Sequence, residues 1–177
     1  MSRFTFILFI MLFCFSCQKE KFDINDPDVG IFVAQLKSGT YNCHEIGGNG
    51  ENLWLIMPKF TKAHIQSLMD FSKDTSGIED FPVNPISSRS PFPLGREYYI
   101  LGECLLWTIE GIRNGNGYGS LDPYLIDTAK PEEVRYKGLS KAEILIVRSY
   151  YLEWWKSFKN DNWQDIHPLA ETSWKWF

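Results

Sequence analysis

The chain lacks a hydrophobic run long enough to cross a bilayer. Its longest, Phe4–Phe15, is about a dozen residues where roughly 20 are needed. It lacks a basic excess: 18 Lys and Arg stand against 22 Asp and Glu, a formal charge of −4, and this excludes a nucleic-acid surface built on positive charge. Of the 4 cysteines, Cys14 and Cys17 close the first apolar stretch, so only Cys43 and Cys104 remain to form a disulfide. Cys104 lies in a segment apolar almost all round, where a free thiol serves as a small hydrophobe. The 3 histidines, His44, His64 and His167, are scattered and lack the close pairing of a zinc site. Gly47-Gly48-Asn49-Gly50 has neither the dinucleotide fingerprint nor the Gly-Lys-Ser/Thr ending of a phosphate loop. Ser87 and Ser88 have no His or Asp alongside to act as a base. No metal and no cofactor is expected. Alternation of apolar and polar residues never runs for six positions or more, so no half-buried strand is legible.

What is present begins at the N-terminus. Arg3 followed by Phe4–Phe15 reads as the positive start and apolar core of an export signal. Ser16 then precedes Cys17, and a small residue before a Cys at this place is similar to the lipobox of bacterial lipoproteins. Cys14 and Phe15 fill the two positions before Ser16, where that pattern usually has Leu and a small residue. The resemblance implies cleavage after residue 16 and acyl chains such as palmitate on Cys17. One chain holds a protein only marginally and two anchor it stably. The expected organisation is a signal over 1–16, a lipidated Cys and tether over 17–25, and one domain over 26–177. Loss of Arg3 with the signal moves the net charge from −4 to −5.

The domain has apolar residues in plenty, with aromatics at 16% and 7 tryptophans. Asp26, Pro27 and Asp28 read as a helix start, continued by Val29, Phe32, Val33 and Leu36 and stopped by Gly39. Asp23, Asn25 and Asp28 hint at a calcium loop, but its Gly and closing Glu are missing. Leu53–Met57 reads as a short strand or as helix end. Thr61 opens a second helix carrying Ile65, Leu68, Met69 and Phe71. Pro82, Pro85, Pro91 and Pro93 make Phe81–Leu94 an irregular connection, and a long loop of this kind is a first suspect for a partner surface. Arg96–Arg113 is expected to be a central helix, buried on nearly every side. Ser140 and Glu143 form a capping box for a last helix lined by Ile144, Val147, Tyr151, Trp154, Trp155 and Phe158. Four helices with Pro- and Gly-rich connectors predict an all-α fold, either an irregular bundle or a short helix-pair array of the HEAT kind.

Two features carry chemistry. On the central helix Arg96, Glu103 and Glu110 form the single polar stripe. Two acids seven residues apart on one helix stand about 10.5 Å apart along its axis. Glycosidase pairs stand roughly 5–9.5 Å apart and usually on different elements. The stripe therefore reads first as structural ion pairs, with Arg96, Arg89, Arg113 or Arg148 as partners, then as a ligand site. Trp163, Trp174 and Trp176 form an aromatic tail suited either to the core or to stacking on a partner.

Four segments carry a wider resemblance: Asp26-Pro27-Asp28-Val29, Gly39-Thr40-Tyr41, Phe81-Pro82-Val83-Asn84-Pro85-Ile86-Ser87-Ser88, and the run from Leu101 to Arg113. With these the chain resembles a family of Bacteroidota lipoproteins built on a domain of unknown function. The resemblance implies a helical domain of the cell envelope and carries over no catalytic residue. The expectation is an outer-membrane lipoprotein that binds an envelope protein or glycan, through a surface drawn from Arg96, Glu103, Glu110, Trp163, Trp174 and Trp176. A periplasmic immunity or inhibitor lipoprotein is one alternative. A glycan- or peptidoglycan-active enzyme using Glu103 and Glu110 is the other.

Overall fold

The computed structural model describes residues 22–177, so the signal-like run, Cys17 and the start of the tether lie outside the described residues. The expected all-α bundle, like the helix-pair array, is overturned. Helix makes up 36% and strand 11%, and the strands form three separate antiparallel pairs, so the domain is mixed α/β. The strands escape sequence reading because each is only two to four residues long. Among the described residues no helix is long and apolar enough to cross a membrane.

Helix α1 spans Val29–Ser38. Its cap is Asp28 rather than Asp26: the Asp28 carboxylate accepts the Ile31 amide at 2.8 Å. Gly39 ends it at φ 64°, and the Gly39 and Thr40 amides donate back to the last turn. A hairpin follows, β1 (His44–Ile46) with β2 (Asn52–Leu55), and among the described residues it pairs with no other strand. Thr61 opens a 3-10 turn that runs into α2 (Ile65–Phe71). Strand β3 (Gly77–Ile78) pairs with β4 (Tyr99–Ile100), which leads directly into α3 (Leu101–Asn114). The expected helix from Arg96 thus begins five residues late, because Tyr99 and Ile100 are spent on a strand. Strand β5 (Leu125–Asp127), the single turn α4 (Glu132–Arg135), α5 (Lys141–Phe158) and β6 (Trp174–Trp176) complete the chain.

Helix α3 is the axis of the core. Every residue from Leu101 to Gly111 is buried, and α2 and α5 pack against it. A helix wetted on no side must satisfy its first amides without water. No side chain caps α3; instead Leu101 N–H donates to Ser76 O at 3.0 Å and Gly102 N–H to Asp74 O at 2.8 Å. A Cβ on Gly102 would stand 2.3 Å from Ser72 O, so only glycine lets that backbone approach. Helix α5 has the capping box expected for it, with Ser140 Oγ and the Glu143 carboxylate bonded to each other's amides. Strand β6 folds back onto β5 with Trp176 opposite Leu125 and Trp174 opposite Asp127.

Candidate functional site

The polar stripe resolves into two separate centres at the two ends of α3. At the first, Glu103 is wholly buried and Arg96 is 9% exposed, and Arg96 Nη2 donates to Glu103 Oε2 at 2.7 Å. The other oxygen, Oε1, accepts the Leu125 amide at 2.8 Å and so ties β5 to the helix. Burial holds the Glu103 carboxyl above its ordinary range, against the pull of Arg96 and the Leu125 amide. Arg96 Nε is buried without a partner. Arg96 reaches Glu103 from the loop before β4, not from the helix.

At the second centre Glu110 faces Arg113 one turn on, with Nη2 to Oε1 at 2.6 Å and Nε to Oε2 at 3.1 Å. The Tyr151 hydroxyl donates to Oε2 at 3.1 Å, and Trp176 Nε1 donates to that hydroxyl at 2.8 Å. Burial, then the neighbouring Glu110, pushes the Tyr151 phenol well up. His167 Nε2 stands 3.4 Å from Glu110 Oε1. Its Nδ1 accepts the Leu169 amide at 3.0 Å, which places the proton of the neutral ring on Nε2 beside Glu110 and leaves no ring nitrogen open as a base. Burial is the main cause that lowers the His167 pKa from 6.5. His167 also lines a groove of about 620 Å³ with Tyr150, Glu153, Phe158 and Glu171.

The tryptophans divide. Trp163 sits edge-on to Trp155 at 6.1 Å, and its carbonyl accepts Trp154 Nε1 at 3.1 Å. Trp174 sits edge-on to Tyr150 at 5.6 Å, with its own Nε1 buried and unpartnered. Trp176 belongs to the Glu110 centre. All three are half-buried, and Trp176 lies opposite Leu125, whose amide bonds Glu103. Of the arginines weighed as partners, Arg113 is the one at Glu110, while Arg148 bonds Met69 O and Ser72 Oγ. Cys43 and Cys104 are both free thiols, and burial raises the pKa of Cys104 well above its ordinary value.

A second groove, of about 480 Å³, opens on the outer side of the Arg96 centre. Arg89, Arg96, Phe92, Tyr124, Tyr136 and Phe177 line it, with the exposed Glu97 at its edge. Tyr124 stacks on Phe177 at 4.9 Å and 25°, and the Arg89 guanidinium lies 5.2 Å from the Phe177 ring centre. Burial pushes the Tyr124 phenol up to about 12. The proline-rich loop supplies Arg89 and Phe92. Tyr124, Tyr136 and Phe177 were not legible, because strand pairing brings Phe177 to Tyr124: Phe177 N–H donates to Tyr124 O at 3.1 Å. Among the described residues no three His, Cys, Asp or Glu side chains converge as metal ligands do.

No curated protein matches the chain, and no solved structure does. One family model matches residues 23–177, nearly the whole of the described chain, and the protein therefore belongs to DUF4943, the family of a domain of unknown function.

Proposed function

We propose that the protein is an outer-membrane lipoprotein of the Bacteroidota type, acylated at Cys17, whose domain holds an envelope partner rather than transforming a substrate. Placement and acylation rest on Ser16-Cys17 after the apolar run. The single observation that carries holding rather than transforming is that Glu103 and Glu110 are each consumed by an internal ion pair. Glu103 has both oxygens bonded, to Arg96 and to Leu125 N–H. Glu110 is held by Arg113, Tyr151 and His167. A hydrolytic pair needs one carboxyl ready to give a proton and another facing the bond or a water. Neither glutamate has that freedom, and neither lines the groove at His167 or the one at Arg96.

Of the two grooves, the one that presents guanidinium groups is that of Arg89, Arg96, Tyr124, Tyr136 and Phe177. Guanidinium groups beside aromatic rings suit an acidic group carried on a planar or sugar-like body. Its ligand is then an acidic segment of an envelope protein or an acidic glycan. The test is a photo-crosslinking side chain at Tyr136 in intact envelopes, with the exposed Lys156 as control position. A discrete adduct from position 136 alone, lost on Arg89→Ala, is the expected result. Equal adducts from both positions would overturn the reading. So would turnover of a cell-wall glycan that Glu103→Gln or Glu110→Gln abolishes in a chain still folded.

A further inference from the structure

The β1–β2 hairpin is built as though something covers it. It is an isolated pair of strands, and both outer edges are unpaired among the described residues. Two-stranded hairpins alone are marginal in water. This one also exposes Ile46 at 57%, Leu53 at 42% and Trp54 at 43%. Its base is firm: Ile56 N–H donates to Cys43 O at 2.9 Å, and Tyr41 donates from its hydroxyl to Ile56 O. The tip at Gly47–Gly50 projects beyond that base.

Where the chain enters the domain says what lies nearby. Phe22 packs on Tyr41 at 5.6 Å and on Phe32 at 6.1 Å, and Phe22, Asp23 and Ile24 share a cleft with Cys43 at the foot of the hairpin. Lys59 N–H donates to Ile24 O at 2.9 Å, which fixes the entry on the other side. Cys17 precedes Phe22 by five residues, a reach of at most about 17 Å when fully extended. An acyl anchor at Cys17 therefore keeps Phe22, which packs at the foot of the hairpin, within that distance of the lipid surface.

We propose that the β1–β2 hairpin dips into the bilayer interface beside the anchor, deep enough that Trp54, Leu53 and Ile46, which the register spreads over both of its faces, all meet lipid. The inference rests on acylation of Cys17. Tryptophan favours this depth, where one end of the ring is apolar and the other wet. The exposed Glu45 and Glu51 flank the contact and repel an anionic surface, so the lipid that suits it is zwitterionic and the binding is by insertion.

The experiment uses the full acylated chain in vesicles of phosphatidylcholine and phosphatidylethanolamine containing brominated acyl chains, which quench tryptophan by contact. Trp54→Phe keeps an aromatic residue in the strand, and its circular dichroism is compared with that of the parent chain. The expected result is that brominated lipid quenches the parent chain and that most of this quenching is lost in Trp54→Phe. A folded Leu53→Ser/Ile46→Ser chain that retains Trp54 is also quenched less than the parent. Equal quenching of the parent and Trp54→Phe, in a chain that mass spectrometry shows to be acylated, overturns this inference alone. Protection of Trp54 that tracks dimer formation in sedimentation overturns it in favour of a second copy. An unacylated mature N-terminus overturns the anchored reading and this inference with it.

Discussion

The two ends of α3 solve the same problem by different means. Each buries a glutamate beside a glycine: Gly102 precedes Glu103, and Gly111 follows Glu110. Each glycine admits a passing backbone, since an added Cβ would meet Ser72 O at 2.3 Å at the first and Gly117 C at 2.8 Å at the second. Glycine inside a helix costs about 1 kcal/mol against alanine, so both are kept for this close approach. The charges are treated differently. Glu103 leans on one arginine brought from a loop, whereas Glu110 leans on an arginine of its own helix, a tyrosine from α5 and a histidine from the segment after it. Each carboxylate has one charged partner, but Glu103 has only a backbone amide besides it, whereas Glu110 also has a phenol and an imidazole beside it. Losing the arginine therefore leaves Glu103 the more exposed to an unpaired charge.

The largest effect that tests this contrast is Arg96→Met. It strands a wholly buried carboxylate and is expected to cost about 3–5 kcal/mol in denaturant unfolding. Adding Glu103→Gln should recover part of that loss. Arg113→Met should cost less, because Tyr151 and His167 still face Glu110; an equal or larger loss breaks the comparison. Next comes Gly102→Ala, expected near the upper end of the 1–3 kcal/mol typical of overpacking, roughly 3 kcal/mol, because the obstacle is backbone and not a movable side chain. Gly111→Ala should cost less. Tyr151→Phe removes a donor to a charged oxygen and leaves Trp176 Nε1 without its acceptor, for a loss of about 1.5 kcal/mol.

The smallest effect is in the pH dependence, and the two centres carry opposite signs. The folded His167 pKa lies below 6.5, so the unfolded chain binds the proton more tightly. Its contribution to stability is present above that value and is lost as pH falls through the lowered pKa. His167→Gln should flatten the acid limb of the stability profile below 6.5, an effect kept small by the partial exposure of the ring. Glu103 has a folded pKa above its ordinary 4.5, so the folded chain binds its proton more tightly. Its contribution is greatest below 4.5 and declines as pH rises through the raised value, and Glu103→Gln should remove that decline.

Legibility in the sequence followed the range of the interactions. The box of Ser140 and Glu143 spans three residues and was readable as it stands. The cap of α1 was misplaced by two positions because Asp26 and Asp28 both flank Pro27, and only the reach of Asp28 to Ile31 separates them. The burial of α3 was legible in its all-round apolar pattern. Its start was not, because a strand of two residues has no period to detect. Glu103 and Glu110 were recognised as ion-pair members, yet two centres replaced one stripe once Arg96 fell outside the helix. Tyr151 was assigned to the inward face of α5, but its bond to Glu110 depends on how α3 and α5 cross. His167 joins that centre only after the chain has turned back beyond Asn162, whose φ is 49°. The fold class was missed for the same reason, since β5 meets β6 across the whole of α5.

The pairing of β5 with β6 also orders events in time. Helices α3 and α5 leave the ribosome, and cross any export channel, before Trp176 does. Until then the Tyr151 hydroxyl lacks the indole that steadies it, and Tyr124 lacks the Phe177 ring that covers it. Strand β6 and Phe177 therefore act as a latch on what precedes them, and a chain without them is left with an open seam along β5.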